Sequence, residues 1–159
     1  EQICSKIIDI QPSFYEIMKN FKTSAYGEIY LLSFKMFIDN PLTGIGINNF
    51  KFLCNSNNVY QNMMVHYKCA SHPHNIYIQW LTEGGLIVFI TFITYLLLLL
   101  KLIFNNNGEK HYKVLSLAII LIMFWPIMST GSLIKNWYGV TTFFIIGLCM
   151  CLSRFKNNY

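Results

Sequence analysis

Polar and apolar positions divide the chain into two unlike halves. Beyond residue 85 the apolar positions run together. No charged residue stands between Glu83 and Lys101, between Lys113 and Lys135, or between Lys135 and Arg154. Each gap approaches the ~20 residues that a bilayer-crossing helix needs. The pattern predicts membrane helices at 86–104, 114–134 and 137–153, with a tail at 154–159. Leu96 to Leu100 is apolar on every side, which leaves no polar face for a soluble helix. Trp125, Trp137 and Tyr138 fall near segment ends, where aromatic rings settle among lipid headgroups.

Ahead of residue 85 the apolar runs are short and broken. Glu1, Lys6, Asp9, Glu16, Lys19 and Lys22 interrupt the start, and nothing there has the form of a signal peptide. A chain that ends in membrane helices and begins this way is expected to be the C-terminal part of a longer protein. Residues 1–22 form an N-terminal segment and 23–85 a loop region. Within it, Ile29 to Ile38 is an apolar run broken by Ser33 and Lys35, predicted to be a helix lying on the membrane. Asp39-Asn40-Pro41 ends it, because proline restricts the residue before it. Gly44 and Gly46 then allow a tight turn. His74 to Glu83 is amphipathic at helical spacing, with Pro73 acceptable at a helix entry. The fold class is therefore an all-α integral membrane protein, with a helical loop region ahead of three transmembrane helices.

Composition supports this and sets orientation. The 159 residues are 54% hydrophobic and 12% charged, about half the charge of an ordinary soluble domain. The net charge of +5 forms no basic stripe, which argues against nucleic acid. Lys101, Lys110 and Lys113 cluster at one connection, and Arg154 and Lys156 mark the tail, whereas the intervening connection carries only Lys135. The positive-inside rule then places the tail in the cytoplasm and residues 1–85 on the opposite, periplasmic face of a bacterial inner membrane.

Candidate chemistry collects in the loop. A helix N-terminus disfavours imidazolium, so a histidine in the first turn stays neutral and can take a proton from a hydroxyl. His74 has that position; the plain alternative is a packing or capping histidine. His66, Cys69, His72 and His74 have compact spacing for zinc, but no further Cys pair or carboxylate cluster closes such a site. Of five cysteines, Cys54 and Cys69 bracket a polar loop on the side where disulfides persist, and either bridge or stay free; Cys4 is left over, and Cys149 and Cys151 lie in the last helix. Gly44-Ile45-Gly46 lacks the third glycine of a dinucleotide loop. Asp9 and Asp39 are the only aspartates, and neither suggests a hydrolase triad.

Two stretches together carry a resemblance. Asn40-Pro41-Leu42-Thr43-Gly44-Ile45-Gly46-Ile47-Asn48-Asn49-Phe50 and His72-Pro73-His74-Asn75, continuing through Trp80-Leu81-Thr82-Glu83-Gly84-Gly85, resemble the large periplasmic loop of the O-antigen ligase/O-antigen polymerase superfamily. The family pattern is His-Asn, nine residues, then Gly-x-x-Gly; His74-Asn75 and Gly85 match, and Val88 stands at the second glycine. The resemblance implies a membrane glycosyltransferase of lipopolysaccharide or other polysaccharide biosynthesis. Its donor would be a polyprenyl-diphosphate-linked glycan and its acceptor lipid A-core or another glycan, with His74 as general base and no metal or cofactor. His72 and Asn75 would bind substrate, and Pro41, Gly44, Gly46 and Gly85 would shape the loop. The arginine that the family places ahead of Pro-x-x-Gly is missing, since Arg154 is the only arginine. Either Lys35, Lys51 and Lys68 hold the diphosphate, or arginines in upstream helices do. As an isolated piece the chain is expected to be inactive. The alternatives are a non-catalytic membrane scaffold, for which replacing His74 changes nothing, and a polysaccharide transporter fragment, for which the spans show none of the expected charges or breaks.

Overall fold

A computed structural model describes residues 19–156. The N-terminal expectations at Glu1, Cys4, Lys6, Asp9 and Glu16 lie outside the described residues. Every regular element among them is helical. A 3-10 turn, Phe21–Thr23, leads into α1, Ala25–Asp39. The Ser24 hydroxyl accepts from Gly27 N at 3.1 Å and caps α1, which stops at Asn40, just before Pro41. Ile29, Leu32, Ser33 and Met36 form its buried stripe, while Leu31, Phe34 and Ile38 on other faces stay about half exposed.

That stripe packs on two short helices, α2 (Phe50–Ser56) and α3 (Asn58–Gln61), closing a small core of Ile45, Phe50, Cys54, Tyr60 and Met64. Cys54 and Cys69 form a disulfide across 15 residues, with Cα atoms 5.9 Å apart. Tyr60 Oη donates to Asp39 Oδ2 at 2.8 Å, tying α3 to the end of α1.

Helix α4, Ile76–Asn105, is two helices run together. Gly85 interrupts it at φ 65°, ψ −167°, a backbone region essentially reserved for glycine. Residues 76–84 end there and 86–105 begin anew. The orphan groups of both ends are met by the Pro41–Gly46 loop. Ile45 N and Gly46 N donate to Thr82 O and Glu83 O, each at 3.0 Å, and Leu86 N and Ile87 N donate to Pro41 O and Leu42 O at 2.9 and 3.3 Å. Only glycines permit so close an approach. A Cβ on Gly44 would lie 2.5 Å from Glu83 C, and one on Gly85 would lie 2.4 Å from Leu42 O.

Two further helices follow: α5, Lys110–Met123, and α6, Asn136–Leu152. Phe92, Leu96, Leu99 and Ile103 of α4 pack against Ile120 and Phe124 and against Ile146 and Cys149 of α6. The helix expected within 114–134 starts at Lys110 and ends at Met123. Pro126 disfavours helix at Trp125, and residues 124–135 turn back toward the loop region. The α4 helix is long and apolar enough to cross a membrane, and α6 is a shorter apolar helix. Residues 86–105 alone extend about 30 Å, the thickness of a bilayer core. Ile90, Leu97, Phe104, Ile122 and Phe144 are each more than half exposed, an outward apolar surface suited to lipid.

Candidate functional site

The histidine segment is held by the turn between α5 and α6. Asn75 is the N-cap of α4, which begins at Ile76, two residues later than the start at His74 that the sequence pattern suggests, so His74 precedes the cap and is not in the first turn. Asn75 Oδ1 accepts from Tyr77 N and Ile78 N at 3.0 and 3.2 Å, and Asn75 Nδ2 donates to Pro126 O at 2.7 Å and Met128 O at 3.4 Å. All of its bonding capacity goes to positioning backbone. Thr130 N donates to His74 O at 2.8 Å, and Tyr77 Oη donates to Phe124 O at 2.6 Å. So fixed, His74 adopts φ 57°, the left-handed region that non-glycine residues rarely enter. Such strain persists only where the surroundings over-determine it, and it concentrates at functional sites.

His72 is buried, and both its ring nitrogens are engaged. Nε2 donates to Thr130 O at 3.3 Å, since a carbonyl can only accept. The neutral ring then accepts at Nδ1 from the Ser71 hydroxyl at 3.0 Å, and Ser71 Oγ in turn accepts from Lys135 Nζ at 3.3 Å. One directed chain thus runs from Lys135 through Ser71 to His72. The His74 ring lies against it, ring centroids 4.3 Å apart, with Tyr26 edge-on at 6.3 Å on its other side. Among the described residues the His74 nitrogens make no hydrogen bond, so its lone pair is available to a substrate proton. Burial first, then the Lys135 ammonium, holds His74 below its ordinary pKa of 6.5. His72 is lowered by burial, by His74 and by Lys135, against the opposing Thr130 bond. The neutrality expected from a helix end is supplied instead by burial and a lysine.

Beside Ser71 lies a cleft of about 660 Å³, whose lining includes Asn48, Lys51, Phe52, Asn55, Ser71 and Lys135. It holds two cations and no carboxylate. Of the lysines expected to meet a diphosphate, Lys51 lines this cleft. Lys35 is paired with Asp39 at 2.5 Å, and Lys68 is exposed and outside the lining. Lys135 is the residue that the sequence reading used only to set orientation. It lies 64 positions from Ser71, and no spacing rule connects them.

The zinc reading loses its ligand set. Cys69 is in the disulfide, and His66 turns away to Glu28, its Nδ1 2.6 Å from Oε1 and its backbone N donating to the same carboxylate. No group of three metal-capable side chains occurs among the described residues. Gln79 Nε2 donates to both Glu83 Oε2 (3.0 Å) and Ser132 Oγ (2.8 Å), bracing the turn that carries Thr130 and Lys135.

No curated protein and no solved structure matches the chain. A family model described as O-antigen ligase matches residues 6–93, more than half of the length, and takes in the Pro41–Gly46 loop, the histidine pair and the break of α4 at Gly85. The chain belongs to the O-antigen ligase family.

Proposed function

We propose that the protein transfers a glycan from a polyprenyl-diphosphate carrier to a hydroxyl acceptor, lipid A-core or another glycan, with His74 as general base. In this reading residues 86–105 of α4, with α5 and α6, cross the bacterial inner membrane, residues 1–85 and the turn between α5 and α6 lie on the periplasmic side and the tail in the cytoplasm. The acceptor oxygen bonds to the anomeric carbon as the carbon–oxygen bond to the diphosphate breaks. The electron pair leaves on the phosphate oxygen, and the acceptor proton passes to His74. A diphosphate is already a good leaving group, so the protein's task is to place the acceptor and take its proton. Lys51 contributes to substrate binding from the cleft; His72, expected as a substrate ligand, has both ring nitrogens bonded within the protein and supports the His74 ring instead. Asn75 acts by fixing the backbone on either side of His74.

The observation that carries this reading is the His74 ring: strained in its backbone, held neutral, unbonded, and next to a cationic cleft. In cells carrying the full-length protein, His74→Ala should lower surface glycan by about 10²–10⁴-fold, read as loss of the ladder on gels. Immunoblotting of the membrane fraction should show unchanged protein. A normal ladder with His74→Ala would reject the assignment.

A further inference from the structure

The two lysines of the cleft are not equivalent. Lys51 stands on α2, and no hydrogen bond links it to the histidines. Lys135 reaches across to Ser71, whose hydroxyl is bonded to His72, whose ring lies against His74. Lys135 is also the N-cap residue of α6, a helix end that no side chain caps, so the partial positive charge of that end adds to the ammonium. Two cations, the amides of Asn48 and Asn55 and the hydroxyls of Ser56 and Ser71, with no acidic group in the lining, make the cleft suited to a phosphate group.

We propose that phosphate in this cleft is bound by Lys51 and Lys135, and that Lys135 reports its presence to the His72–His74 pair through Ser71. This rests on the donor reading given above and adds to it an order of events. The groups facing the two rings are Tyr26 from α1, the Thr130 carbonyl, and Ser71 with Lys135; apart from the rings themselves, Lys135 is the charged member. Its ammonium opposes protonation of both imidazoles. A phosphate that takes up that ammonium cancels the field, and His74 becomes the stronger base once the donor is seated. An acceptor arriving alone meets a weak base, which protects against premature proton abstraction. Lys135 is in this sense a positioning residue, acting on the reaction through its neighbours.

The test uses the full-length protein in phosphatidylcholine nanodiscs, with labelled histidine rings followed by NMR across pH, with and without inorganic pyrophosphate. Saturating pyrophosphate should raise the His72 and His74 midpoints by about one pH unit. Lys135→Ala should weaken pyrophosphate binding about tenfold and, at saturation, abolish the rise. Lys135→Arg should keep the rise, which separates loss of charge from loss of fold. Lys51→Ala should weaken binding yet retain the rise at saturation. Unchanged binding or an unchanged rise in Lys135→Ala overturns the proposal. So does a rise produced by phosphatidylglycerol discs alone, to which pyrophosphate adds nothing, because the cleft then serves a lipid headgroup. If His74→Ala leaves glycan transfer intact, the functional reading fails by itself, and the pyrophosphate response of His72 still decides the coupling.

Discussion

Alanine at Gly85 places a methyl carbon 2.4 Å from Leu42 O and 2.5 Å from Gly44 N, both backbone atoms with no rotamer to yield. Either the Pro41–Gly46 loop withdraws or residue 85 leaves φ 65° and the two halves of α4 change direction. Withdrawal gives up the four backbone bonds from Ile45, Gly46, Leu86 and Ile87. Bonds of this kind contribute about 0.5–1.5 kcal/mol each, and a non-glycine residue forced to keep such a backbone costs about 1–3 kcal/mol. Where the loop withdraws and residue 85 keeps its backbone, the loss is therefore about 3–9 kcal/mol, a large part of what holds an ordinary domain together. Thermal unfolding in detergent should show a lower midpoint for Gly85→Ala. Limited proteolysis should cut within 41–49 sooner than in the parent, while residues 86–105 stay protected. An unchanged midpoint with an unchanged cleavage pattern would show that the loop is not clasped as described.

Other outcomes follow from the same contacts. Cys54→Ser should destabilise the loop region by about 3 kcal/mol, as expected for a 15-residue closure. Reductant should lower the parent's unfolding midpoint and leave the variant's unmoved; equal sensitivity of the two would contradict the bridge. Because both imidazoles are held below 6.5, the unfolded chain takes up protons first as pH falls. Their contribution to stability is full above about pH 6.5 and is lost as pH drops through the lowered values. Thermal midpoints measured across this range should fall on the acid side only. At donor concentrations far below saturation, where the free protein sets the profile, the transfer rate should by the same sign hold down to about pH 6.5 and decline below it; a limb centred above 6.5 under those conditions would mean that His74 is not the titrating base.

Much of the scaffold was legible in the sequence. The uninterrupted stretch after Gly85 announces the helix at 86–105, and Asp39-Asn40-Pro41 marks the end of α1, because both signals are local. The bridge between Cys54 and Cys69 was one of two open alternatives, settled by where α2 places Cys54. The glycines were readable as loop-shaping residues, but not that their loop would serve the broken ends of α4; that depends on partners some 40 positions apart. The end of α5 at Met123 is not legible, because hydropathy continues past it and only Pro126 hints at the turn. Amphipathic spacing alone starts the helix at His74, whereas the Asn75 side chain caps it and moves the start to Ile76. Lys135 reaches Ser71 only through tertiary folding, so its place beside the histidines left no trace in spacing.

The join between the Pro41–Gly46 loop and α4 is made by main-chain atoms, with no side chain in any of its four bonds. Leu42, Thr43 and Ile45 could therefore be exchanged for other residues of similar character with little effect on it. Positions 44 and 85 have no such latitude, and no second change can rescue either, because each abuts peptide groups that every amino acid shares. In a randomised library selected for retained fold, these two sites should return a single letter while positions 42, 43 and 45 drift among residues of like character.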